Sequence, residues 1–116
     1  MQEIGTSPQE GKKYFFLKLL SPRPTFPGDM NEAEAKMMQA HVAYWKIWAE
    51  KGSIVVFGPG SDPRGTWGLA VAEVDDADEV RLMTSGDPPI RSGIGFSYVV
   101  YPMLRAIVKG SCEPGD

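Results

Sequence analysis

The 116-residue sequence predicts an α+β fold of order β-α-β-β-α-β, and three observations carry that prediction. Two segments begin with a capping pattern, at Asn31 and at Asp76, and run on into helical spacing. Four short runs rich in aromatic and β-branched residues alternate with them in the right order. One histidine and one cysteine exclude an intrachain disulfide framework and a Cys/His zinc cluster. A packed core must therefore hold the chain together, and 42% apolar residues supply the material for one.

Residues 1–12 and 110–116 are polar and rich in Gly, Ser, Pro and Glu. They read as flexible tails around one domain at 13–109, and Cys112 falls in the second tail. The aromatic run from Tyr14 to Leu20 is the first strand. Pro22, Pro24 and Pro27 forbid regular structure in the segment after it. Asn31 with Glu34 three residues on forms a capping box, and Gly52 is a left-handed stop, so the first helix runs to about Lys51. Its apolar stripe is Met37, Met38, Tyr44, Trp45 and Trp48, with His41 in the middle.

Ile54 to Phe57 is the second strand and Thr66 to Val74 the third, joined by a turn-rich loop from Gly58 to Gly65. Asp76 caps a second helix from Ala77 to about Thr84, with Glu79 at the box position. Gly86-Asp87-Pro88-Pro89 ends it. Phe96 to Tyr101 is the fourth strand, with a continuation beyond Pro102 towards Val108. This order is the split βαβ, or ferredoxin-like, arrangement, an antiparallel sheet with two helices on one face. The other face should be polar if it meets water, yet the strands are apolar on both sides: Phe15, Leu17 and Leu19 against Tyr14, Phe16 and Leu20. A second copy covering the bare sheet face, in a two-fold homodimer, satisfies both faces.

The net charge of −3 resides in the tails, and segment 13–109 balances 11 basic against 11 acidic residues. A neutral body with scattered arginines argues against nucleic acid as a partner. No apolar run approaches a membrane span, residues 1–13 carry no signal-peptide core, and the default compartment is the cytoplasm.

His41 is the one imidazole available for proton chemistry near neutral pH, and a space-filling core histidine is its alternative reading. Asp87, fixed by Gly86 and two prolines, is either ordinary turn chemistry or a carboxylate held in one direction, fit to orient an imidazole. Arg23 offers a planar fork for a substrate carboxylate, against the plainer reading of a solvated loop arginine. Gly58 to Gly65 lacks the Gly-Lys-Ser/Thr ending of a phosphate loop, although its amides are suited to line a pocket. The acidic run from Glu73 to Glu79 suits a helix N-terminus better than a metal cluster.

Several pieces taken in order resemble the YCII-related family: Phe15 to Leu20, Arg23 to Phe26, His41 to Trp45, Phe57-Gly58-Pro59 with Asp62-Pro63, Trp67 to Leu69, Gly86 to Pro88 with Arg91 to Gly93, and Tyr101 to Leu104. The resemblance covers about residues 14–108. It implies a ferredoxin-like domain pairing as a dimeric α+β barrel, similar in fold to muconolactone isomerases. It also implies a His–Asp pair in a small pocket, at positions matching His41 and Asp87. Some members of the family are dehydrochlorinases of chlorinated hydroquinones, and others occur with sigma factors. The chain departs from the pattern at Gly60 and at Asn31.

The resulting expectation is a small-molecule enzyme of isomerase or lyase type, without metal or organic cofactor. His41 would be its general acid/base and Asp87 its orienting partner, with Tyr44 and Trp45 shaping the pocket and the Gly58–Pro59 turn closing one side. A non-catalytic ligand-binding or scaffolding dimer is the rival, and a cofactor-independent monooxygenase on the same barrel a third reading.

Overall fold

In the computed structural model, residues 11–110 are described and form a four-stranded antiparallel sheet with helices packed on one face. The elements are β1 (Lys13–Leu20), α1 (Glu32–Glu50), β2 (Ile54–Asp62), β3 (Gly65–Val74), α2 (Ala77–Ser85), α3 (Pro88–Ser92) and β4 (Ser97–Pro102). Sheet order is β2-β3-β1-β4, which leaves β1 and β3 central and β2 and β4 at the edges. This is the split βαβ order expected from the sequence, with one helix more than expected.

Register decides which residues meet the helices. Leu17 pairs with Ala70 and Val100, Phe15 with Ala72, and Leu19 with Gly68 and Tyr98, so these share one face. Phe15, Leu17, Ala70 and Ala72 enter the core there with Trp45 of α1 and Val80 and Met83 of α2. The small Ala70 and Ala72 of β3 share this cluster with the large Trp45 indole, and Gly68 gives way to Leu19 beside it. A second cluster joins Leu19, Phe26 and Phe96, the two phenyl rings meeting edge to face at 5.2 Å.

Both caps form as the sequence indicates. The Asn31 side chain accepts from the Glu34 amide at 2.8 Å, and the Glu34 carboxylate accepts from the Asn31 amide at 3.0 Å. Asp76 accepts from the Glu79 amide, but the Glu79 carboxylate reaches one residue further back, to the Asp75 amide. Gly52, at φ +88, follows α1 in the left-handed region.

Three local expectations are corrected. The segment from Gly58 is strand rather than loop: β2 continues through Gly58-Pro59-Gly60 to Asp62, and only Pro63 and Arg64 make the turn. Proline is tolerated there because β2 is an edge strand, where a missing ladder donor is no loss. Pro88 and Pro89 begin a short helix, α3, instead of merely ending α2, since proline suits the first helical turn. Finally, β4 stops at Pro102, and residues 103–108 do not continue as a strand. The expected tails fall largely outside the described residues, Cys112 included. Lys12, counted among them, is held by Asp75 at 2.9 Å.

Candidate active site

His41 lies one helical turn before Trp45 on the side of α1 that faces the sheet, and its side chain keeps 14% exposure. Asp87 stands at the junction of α2 and α3 and is wholly buried. It occupies the N-cap of α3, where an aspartate ordinarily accepts from the first-turn amides. Here the first two helical positions are Pro88 and Pro89, which have no N–H, and no side-chain cap bond forms. The carboxylate is thereby free to turn inward, 46 residues back along the chain to His41.

There His41 Nδ1 lies 2.7 Å from Asp87 Oδ1 and 3.0 Å from Oδ2. The Tyr98 hydroxyl donates to Oδ2 at 2.6 Å. An ionised carboxylate only accepts, and against one Nδ1 would carry the imidazole proton and Nε2 the lone pair. Burial, and secondarily the Asp87 charge, holds the Tyr98 phenol well above its ordinary pKa of 10.0, so it remains a donor.

These groups sit at a cavity of about 250 Å³ between α1, the 21–30 segment and the sheet. Its walls include Phe26, Met38, Trp45, Phe57 and Phe96, and among the described residues no Lys, Arg, Asp or Glu lines it. His41 and Tyr98 bring it nitrogen and hydroxyl chemistry in a mainly apolar enclosure, where Ser21 and Thr66 add the other hydroxyls. The Trp45 ring stands beside both, with centroids 6.5 Å from His41 and 6.1 Å from Tyr98. Among the described residues no three His, Cys, Asp or Glu side chains gather as metal ligands. No helix among them is long and apolar enough to cross a membrane.

Of the residues singled out in the sequence, His41, Trp45, Gly58 and Pro59 line this cavity. Tyr44 and Arg23 do not line it. Tyr44 donates to the Met83 carbonyl at 2.8 Å and sits against Gly86, where an added Cβ would come within 2.4 Å of its hydroxyl oxygen. It buttresses the turn that carries Asp87 from behind. The Arg23 guanidinium is occupied by Glu34, at 2.7 and 2.9 Å, and by Asp29. It pins the 21–30 segment, whose Phe26 and Met30 wall the cavity, to the start of α1. Tyr98, within the run from Phe96 to Tyr101, reads in the sequence as an ordinary strand residue. Strand alternation assigns its face, but nothing local signals a partner at position 87.

Comparison with known proteins follows the same outline. No curated protein matches the chain. Among solved structures, it is similar to the 5-chloro-2-hydroxyhydroquinone dehydrochlorinase of Burkholderia phenoliruptrix, determined in complex with 2,5-dihydroxybenzoquinone. The TM-score is 0.56 and the identity 26%, over 79% of this chain and 95% of that one. A family model of the YCII-related domain matches residues 15–104. The chain belongs to the YCII-related family.

Proposed function

We propose that this chain is a small-molecule enzyme of lyase or isomerase type in which His41 moves a proton and Asp87 orients it. One observation carries the reading: an imidazole bonded through Nδ1 to a wholly buried carboxylate, at the wall of an apolar cavity. Nε2 takes a proton from a carbon or hydroxyl activated by a neighbouring carbonyl, and Asp87 stabilises the imidazolium that forms. The same proton then returns to another atom of the substrate, which is isomerisation. In elimination a leaving group such as chloride departs with the electron pair, and the proton is released to solvent. With no cation in the lining, the cavity suits an uncharged ring better than a carboxylate or phosphate. The similarity to a dehydrochlorinase supports the elimination branch.

The test is chloride release from 5-chloro-2-hydroxyhydroquinone by the purified protein, beside His41→Ala and Asp87→Asn. Turnover falling about 10²–10⁴-fold in both folded variants is the expected result. Equal rates in all three would leave the ligand-binding or scaffolding dimer as the better reading. The proposal includes a homodimer formed through the bare sheet face, with residues 13–109 as the folding unit.

A further inference from the structure

We infer that Tyr98 is a positioning residue: its hydroxyl holds Asp87 as an oriented carboxylate, and so keeps the imidazole proton of His41 on Nδ1. The inference rests on the His41–Asp87 reading above and names the group that makes the pair work as a base.

The geometry is that of a three-member chain drawn from three places in the fold. Tyr98 faces Leu19 across the β4–β1 pairing, on the helix side of the sheet, and is only partly exposed. Its hydroxyl meets Oδ2 at 2.6 Å while Oδ1 serves Nδ1 at 2.7 Å, so each carboxylate oxygen has its own donor. A carboxylate with no exposure depends on protein donors for both oxygens, and here two side chains supply one each. Without the Tyr98 bond, His41 would be the only side-chain donor left to Asp87 among the described residues. The pair would then take up a further proton more readily, and with the neutral acid presenting its O–H to Nδ1 the ring carries its own proton on Nε2. The lone pair that faces substrate would then be lost, with every side chain still in place.

The groups around the pair allow a clear reading. From α1 the titratable groups are His41 itself and Tyr44, whose hydroxyl is engaged by the Met83 carbonyl. From β4 there is Tyr98. Val80 and Met83 of α2 and Pro89 of α3 are buried, whereas Asp78, Arg81 and Arg91 are exposed.

His41 is the only histidine, so its ring nitrogens can be followed by NMR without assignment ambiguity. In the wild-type protein the deprotonated ring should show a pure Nδ1–H tautomer. Tyr98→Phe keeps the ring packing and removes the donor, which destabilises the anionic pair relative to the protonated one. Its apparent pKa should rise by about one unit or more, so that the protonated pair, with Nε2 blocked, persists to higher pH. A titration identical to wild type would overturn the inference, because a tyrosine that only fills space is replaced by phenylalanine without electrostatic consequence. Asp87→Asn separates the two readings. If it also leaves the His41 titration unchanged, the pair itself is absent; if it alone shifts the titration, only the role of Tyr98 falls. Should Tyr98→Phe fail to fold, 3-fluorotyrosine placed at 98 supplies a stronger donor of nearly the same shape. The apparent pKa must then move down, and no movement overturns the inference.

Discussion

Gly86 shows how closely single residues constrain the site. Its φ of −88° is open to any amino acid, so its identity is not a matter of backbone freedom. What requires glycine is space, since an added Cβ would lie 2.4 Å from the Tyr44 hydroxyl oxygen. That hydroxyl cannot simply step aside. It is bonded to the Met83 carbonyl, and its ring is packed edge-on against Trp45 and Trp48 at 5.6 and 6.3 Å. Gly86→Ala should therefore cost about 1–3 kcal/mol in urea unfolding, as overpacked cores do. It should also displace Asp87, the next residue, and thereby alter the His41 titration. Adding Tyr44→Phe removes the clashing oxygen and should recover part of the loss; no recovery would place the strain elsewhere.

At the scale of elements, the start of α1 does more than begin a helix. Glu34 completes the capping box and also receives Arg23, which in turn holds Asp29. Arg23 first, and the Asn31 amide second, hold the Glu34 carboxyl below its ordinary value of 4.5; Arg23 likewise holds Asp29 below 3.8. Carboxyls depressed in the folded state stabilise it above their unfolded pKa and lose that contribution as pH falls through the folded one. Glu34→Gln should thus be less stable than wild type at pH 7, with the gap closing on acidification below about pH 4.5. Chemical denaturation at both ends of that range checks it, and a constant gap would mean the ion pair contributes nothing. The capping box was legible in the sequence because its chemistry is confined to four consecutive residues. Strand β2 and helix α3 were misread for one shared reason. Proline breaks an element's interior, but it is tolerated at an edge strand and favoured in a first helical turn, and only the assembled sheet shows which case applies. The site was half legible on the same grounds. His41 and Asp87 stand out as a lone imidazole and a rigidly framed carboxylate, whereas Tyr98 becomes part of it only once β4 is laid beside β1.

At the scale of the whole molecule, no described residue outside the sheet packs over one of its faces. Phe16 lies at its centre with Trp67 and Tyr101, at ring distances of 6.3 and 5.8 Å. Leu69 and Val71 of β3 and Val99 of β4 fall on the same face by register, and Val56 and Tyr101 are 52% and 48% exposed. Lys18 alone brings charge to the middle of β1 there, and its ammonium lies over the Trp67 ring at 4.8 Å. An apolar surface of this kind on a monomer is a liability, and the proposed second copy, laid across it by a two-fold axis, would cover each face with the other. Light scattering at micromolar concentration should return twice the 12.7 kDa chain mass, and Tyr101→Glu should bring it to a single chain by placing a charge at the covered face. A wild-type monomer would defeat the dimer. The proposed active site makes a separate demand on the same variant. His41, Asp87 and Tyr98 all come from one chain and meet on the opposite, helix-covered face. Dissociated Tyr101→Glu should therefore keep the wild-type His41 titration even as it loses half its mass. If that titration collapses on dissociation, the pair depends on the partner's support, and the site belongs to the dimer rather than to the chain.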